Sequence, residues 1–227
     1  KDATANAAHG TGVNLLPGAR VEGRVGKGLA LDYPKNQWVK VDSEKRKLFD
    51  VTKHVTFSIW AKARTFGNTK GIDGKGVGYE TMFAKGDNSW RVQKFGIRSW
   101  HNPPADLVEI CVEQAPKGDL CAIGRTDMKP GEWYHFVGVH DFPHVKLYVN
   151  GVLEMVDRYD TAWTSGDHPV GIGNQSQFPD RGRQWDGVLD EARVMGVAKD
   201  AHWIKLDYES QREGQKLVVF GRAHRRW

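Results

Sequence analysis

Lys146-Leu147-Tyr148-Val149-Asn150-Gly151-Val152-Leu153-Glu154-Met155 is the stretch that sets the architecture of the chain. Asn150-Gly151 takes positive φ at both central positions of a tight turn at little cost, so the flanking runs read as an antiparallel hairpin. Outward from this hairpin, a period of two continues along most of the sequence. Val55, Phe57, Ile59 and Ala61 alternate with Thr56, Ser58, Trp60 and Lys62, the pattern of a half-buried strand. Comparable runs occupy 28–33, 37–41, 81–85, 89–97, 107–112, 133–140, 145–149, 170–173 and 185–195. Turn signals such as Lys85-Gly86-Asp87-Asn88 and Asn102-Pro103-Pro104 separate them. Many short strands rich in Gly and aromatic residues predict an all-β sandwich or barrel. One short helix is expected near the C-terminus, with Asp200 capping residues 201–208 and Ile204 and Tyr208 on one face.

The 227 residues suffice for one large domain with a core of its own, and no composition break or internal repeat divides them. Residues 1–220 are read as that domain and 221–227 as a basic tail or linker. The net charge of +5 owes much to Arg222, Arg225 and Arg226, while the body is near balance. A basic stripe of the kind nucleic-acid binders carry is not visible, and no apolar run reaches the roughly 18 residues of a spanning helix. A monomeric module, without membrane insertion, is therefore expected. The start at Lys1-Asp2-Ala3 carries neither Met nor a leader, which leads us to expect a processed or excised fragment.

Cys111 and Cys121 flank a Pro-Lys-Gly turn. A hairpin centred on Pro116 places Cys111 opposite Cys121, Val112 opposite Leu120 and Ile110 opposite Ala122. The apolar pairs then share one face and the cysteines the other, where facing Cβ atoms come close enough for a disulfide. A bridge there implies an oxidising compartment; two unpaired buried thiols are the alternative.

The familiar catalytic signatures do not occur. Gly-x-Ser-x-Gly, His-Glu-x-x-His and Cys-x-x-Cys are missing, and Gly74-Lys75-Gly76-Val77-Gly78 has no strand-to-helix transition after it. Glu113 and Asp119 face each other across the cysteine hairpin, and two facing carboxylates need a cation or solvent between them. They are the acid pair to test if the chain is a glycoside hydrolase or polysaccharide lyase.

Several segments, in order, resemble the bacterial laminin G-like (concanavalin A-like) jelly-roll family. Asp2-Ala3-Thr4-Ala5-Asn6-Ala7-Ala8-His9-Gly10 is similar to its Asp-x-Ser-Gly-Asn-x-x-x-Gly opening, with Ala5 where Gly is usual. Gly23-Arg24-Val25-Gly26-Lys27-Gly28-Leu29-Ala30-Leu31, Phe57-Ser58-Ile59-Trp60-Ala61-Lys62 and Lys85-Gly86-Asp87-Asn88-Ser89-Trp90-Arg91-Val92-Gln93 resemble successive strand motifs. Gly131-Glu132-Trp133-Tyr134-His135-Phe136-Val137, the Leu147–Gly151 hairpin and the closing Trp185-Asp186-Gly187-Val188-Leu189-Asp190-Glu191-Ala192-Arg193-Val194 complete the series. No counterpart of the strand that normally precedes the opening motif is recognised within these residues.

The resemblance implies a two-sheet antiparallel jelly roll and an extracellular, non-catalytic module that binds a polysaccharide or other glycan. A protein-binding adhesion module is the alternative of a different class. The resemblance also implies one structural Ca²⁺ tying the first loop to the last strand, with Asp2 and Asp190 as ligands; for Asp190 a salt bridge to a neighbouring Arg is the alternative. Sugar binding asks for aromatic faces and planar polar groups. Trp60, Trp133 and Trp185 lie within regular strand patterns and are expected in the core. Trp90, Trp100 and Trp163 lie at strand ends or in loops and are expected to stack on sugars, with loop anchoring as the alternative. Arg91, Gln93, Asn174, Gln175 and Arg183 are expected to exchange hydrogen bonds with the ligand.

Overall fold

Asn150 and Gly151 adopt φ of 50° and 75° and close the expected hairpin between β11 (His144–Val149) and β12 (Val152–Arg158). The computed structural model describes residues 2–41, 43–66, 78–95, 105–114, 118–161 and 163–217. The remaining strands are β1 (Thr11–Val13), β2 (Arg20–Glu22), β3 (Lys27–Leu31), β4 (Trp38–Val41), β5 (His54–Ala63) and β6 (Glu80–Ala84). After them come β7 (Trp90–Lys94), β8 (Val108–Gln114), β9 (Gly118–Ile123), β10 (Tyr134–Asp141), β13 (Val170–Ile172) and β14 (Gly187–Met195). One helix, α1 (Ala201–Gln211), follows, and the Asp200 carboxylate caps it by accepting from the Trp203 N–H at 2.8 Å.

Among the described residues the strands form two seven-stranded antiparallel sheets, ordered β1-β4-β13-β6-β7-β8-β9 and β12-β11-β10-β5-β14-β3-β2. The expected jelly-roll sandwich is the fold. Its core lies between the sheets, where Phe57 and Ile59 of β5 and Phe136 of β10 meet Phe83, Trp90, Val92 and Ile110 of the other layer. β1 and β2 escaped the pattern reading because each has three residues and is largely exposed, so neither shows an apolar alternation. The stretches 67–77, 96–104 and 218–227, which contain Trp100 and the basic tail, lie outside the described residues.

The β8–β9 hairpin has the register that the sequence implies: Cys111 faces Cys121, Val112 faces Leu120 and Ile110 faces Ala122. Cys111 and Cys121 form a disulfide that closes a loop of sequence separation 10 at the edge of the first sheet. A link of that length removes unfolded-state entropy worth about 2–3 kcal/mol. The double substitution Cys111→Ser with Cys121→Ser is expected to lower Tm by about 5–10 °C in a thermal melt. An unchanged melt would show that the hairpin holds its register without the link.

Helix α1 covers part of the outer face of the second sheet. Ile204 packs with Val137, Val139 and Tyr148, while polar groups lock the other side of the helix. Arg193 of β14 donates to Asp207 at 2.9 Å, and the Trp60 indole N–H donates to Gln211 at 2.7 Å. Ser58, His135 and Asp207 gather beneath the helix, yet they do not form a nucleophilic relay. The Ser58 hydroxyl and the Asp207 carboxylate both address Nε2 of His135, at 3.0 and 3.3 Å, and Nδ1 of His135 is buried without a partner. Burial pushes the Asp207 carboxyl up, but the His135 hydrogen bond and the Arg193 charge outweigh it and hold the group below its usual 3.8.

Candidate functional site

The pleat of β7 sends Trp90 and Val92 into the core, and hence Arg91 and Gln93 to the outer face of the first sheet. Cross-strand pairing sets Arg91 beside Cys111, and Gln93 between Thr81 and Glu109. The face that results is polar and closely bonded. Gln93 donates to Glu109 at 2.6 Å, and Arg91 donates to the Asp119 carboxylate and to the Asp87 carbonyl. Arg183 reaches in from the loop after β13, donates to the Asp87 carboxylate and lies 5.1 Å from the Tyr79 ring centroid.

Arg91, Gln93, Arg183 and Glu109 are buried, whereas the carboxylates that the two arginines hold reach solvent, with Asp87 26% and Asp119 41% exposed at the side chain. Guanidinium groups thus fix two acceptors that water and a ligand can reach, beside the half-buried Tyr79. Burial pushes the Arg91 guanidinium down, and Asp119 and Asp87 more than restore it. Beneath them, burial raises the Glu109 carboxyl to about 7 in spite of the Gln93 hydrogen bond and the Arg91 charge. Glu113 is raised to about 7 as well, by burial first and then by the hydrogen bond and charge of Asp119. The cation that the facing pair Glu113 and Asp119 needs is Arg91.

The structure brings together three of the expected ligand residues, Arg91, Gln93 and Arg183, and corrects the placement of others. Trp90 is not a rim residue. Its ring is fully buried, 4.5 Å from Phe57 and 5.4 Å from Phe83 between centroids, and its N–H donates to the Phe49 carbonyl at 3.1 Å. Trp163 is 2% exposed and packs against His140. Asn174 and Gln175 are fully buried and fold their own loop: the Asn174 amide donates to the Pro179 carbonyl at 3.0 Å, and Gln175 Oε1 accepts from the Phe178 N–H at 2.6 Å. Trp100 lies outside the described residues. Of the three tryptophans expected in the core, Trp185 is there, Trp60 is buried on the outer face of the second sheet beneath α1, and Trp133 is half-buried. The reading missed Tyr79, Asp87 and Glu109. The parity that placed Gln93 outward would have found Glu109, but Asp87 and Tyr79 sit beyond strand ends, where parity gives no direction.

Asp2 and Asp190 do not fit one shared calcium site. The Asp2 carboxylate accepts the N–H groups of Thr4 and Ala8, each at 2.9 Å, and so closes a local turn ahead of β1. Asp190 belongs to the second sheet, and its oxygens accept from the Val25 and Glu191 N–H groups at 2.8 and 2.9 Å. Both carboxylates are already engaged by backbone N–H donors, and Asp2 lies in the segment ahead of β1 whereas Asp190 lies on β14 of the second sheet. A side chain at Gly23 would put Cβ 2.4 Å from Asp190 Oδ2, so this glycine lets the β2–β3 turn close onto the carboxylate.

A sandwich of two seven-stranded sheets with a polar outer face on one of them is the class of architecture seen in β-sandwich lectins. The chain belongs to the concanavalin A-like lectin/glucanases superfamily, whose family model matches residues 34–205. No curated protein matches it by sequence. Among solved structures it is similar to domain 4 of a GH43 extracellular arabinanase from Geobacillus stearothermophilus in complex with arabinotriose. That match has 17% identity and a TM-score of 0.57, and covers 83% of this chain and 79% of the other. The binding domain of Paraclostridial Mosquitocidal Protein 1 is similar at 14% identity with a TM-score of 0.62, covering 84% of this chain and 45% of that one. A heptameric SAP-like pentraxin from Limulus polyphemus gives 14% identity and a TM-score of 0.52, covering 72% and 73%. At such identities the likeness concerns the fold.

Proposed function

We propose that the chain is an extracellular, non-catalytic carbohydrate-binding module whose ligand lies on the outer face of β6 to β9. The observation that carries this reading is the pair of solvent-reaching carboxylates, Asp87 and Asp119, clamped by Arg183 and Arg91 beside Tyr79. Sugar hydroxyls donate to such fixed carboxylates, and an aromatic ring offers its face to sugar C–H groups. Arg91, Arg183, Gln93 and Glu109 hold the acceptors from beneath. The arabinotriose complex of the arabinanase domain supports a glycan as ligand. The disulfide supports an oxidising, extracellular setting.

Affinity electrophoresis against arabinan and a panel of plant and algal polysaccharides tests the reading. Retardation by at least one polymer is expected, with about a tenfold loss of affinity in Asp87→Ala, since a charge-assisted hydrogen bond contributes about 1.5–3 kcal/mol. A chelator is expected to leave both retardation and melting unchanged, because the Asp2 and Asp190 oxygens already face N–H donors. No shift across the panel would overturn the proposal. Release of reducing sugar that disappears in Glu113→Gln would overturn its non-catalytic part.

A further inference from the structure

A cleft opens on the other side of the molecule, where the C-terminal end of α1 meets the β2–β3 turn and the residues leading into β10. It comprises a compartment of about 390 Å³ and a second of about 740 Å³. Trp133, Arg24, Arg212 and Glu213 line both. These volumes are those of small-ligand sites. We propose that this cleft is a second glycan site, distinct from the sheet face, and that it takes an anionic sugar.

Arg24 defines the ligand class. Its side chain is 11% exposed and its guanidinium lies 4.9 Å from the Trp60 ring centroid. One N–H, at Nε, donates to the Gln211 carbonyl at 3.0 Å. The nearest carboxylate, that of Glu213, stands 3.7 Å away and is itself 94% exposed. A mostly buried guanidinium with so loose a counter-ion favours a better anion, and a sugar carboxylate or sulfate can displace Glu213 in a two-pronged contact. Burial pushes the Arg24 guanidinium down and Glu213 pulls it back, as expected of a cation short of anionic partners.

Trp133 supplies the surface for the ring of the sugar. Gly131, at φ of 85°, turns the chain just before it, and the Lys62 ammonium stands 5.0 Å from its ring centroid. An aromatic wall flanked by Lys62 and Arg24 therefore offers a sugar C–H face one partner and its acid group others. Neutral pyranose stacking needs the Trp alone; the cations add the preference for charge.

The test uses polygalacturonate and a sulfated galactan in affinity electrophoresis at low and physiological salt. The protein is compared with Trp133→Ala, Glu213→Gln and Arg183→Ala, each checked by thermal melt. Retardation by either acidic polymer is expected, the carboxylate and sulfate arms telling which anion is preferred. Trp133→Ala should weaken it at least tenfold, and Glu213→Gln should strengthen it about threefold. Trp133→Ala alters no charge, so its effect separates the cleft from general attraction of a basic protein to a polyanion. Glu213 is exposed, so its substitution leaves the fold intact and keeps the test informative if Trp133→Ala destabilises the chain. Absence of retardation, or retardation indifferent to Trp133→Ala and Glu213→Gln, would overturn the proposal. Acidic-glycan binding lost in Arg183→Ala but kept in Trp133→Ala would belong to the sheet face and overturn it as well.

Discussion

Trp90→Ala is expected to lower the unfolding free energy by about 3–5 kcal/mol and to leave glycan affinity of the folded fraction unchanged. The indole lies wholly within the sandwich, tilted against Phe57 and edge-on to Phe83, and one of its atoms is hydrogen-bonded to Phe49. Truncation removes apolar area, opens a cavity between the sheets and leaves the Phe49 carbonyl without its donor. For a chain of this length that loss corresponds to a fall in Tm of roughly 10 °C or more. Calorimetry and affinity electrophoresis on the same preparation separate the two roles. A variant that melts normally but no longer binds would return Trp90 to the ligand surface.

The contrast between Trp90 and Trp133 shows where the sequence is legible. The alternation that put Arg91 and Gln93 outward also required Trp90 to point inward, and the structure follows it. Position at the end of a strand was the weaker signal, because a strand's first side chain is still directed by the pleat. Trp133 has the parity of Val137 and Val139, which face outward toward α1, so the alternation of β10 itself directs it away from the core between the sheets. The strand begins at Tyr134, just past that indole and the turn at Gly131. The Cys111–Cys121 register was readable because a short turn leaves few pairings. Asn174 and Gln175 were not, since whether an amide bonds its own loop or a ligand depends on backbone groups that sequence does not place. For Asp2 and Asp190 the sequence is equally silent: a carboxylate that caps backbone N–H groups carries the same letter as one that binds calcium.

The second large effect concerns acid. His140 lies on β10, fully buried, with its ring 5.9 Å from Phe57 and 5.3 Å from Trp163 between centroids, and neither ring nitrogen has a partner. Burial drives its pKa down from 6.5 to about 3. The unfolded chain therefore takes up a proton below pH 6.5 that the folded chain refuses until about pH 3, and folding loses stability over that window. By pH 4 the loss amounts to about 3 kcal/mol. Glu109 and Glu113 run the other way. Each is raised to about 7, so its stabilising contribution is complete below the ordinary carboxylate value of 4.5 and is lost as pH rises toward 7. Asp207, held below 3.8, contributes above that value and fails only in stronger acid. Because these terms oppose one another, the wild-type profile alone does not isolate His140. His140→Leu does: urea unfolding at pH 7 should change by about 1 kcal/mol at most, since an unpaired buried polar ring gives way to an apolar chain of similar size. At pH 4 the variant should exceed the wild type by about 3 kcal/mol. Parallel pH profiles for the two proteins would show that His140 accepts its proton in the folded state and that the core opens enough to hydrate it.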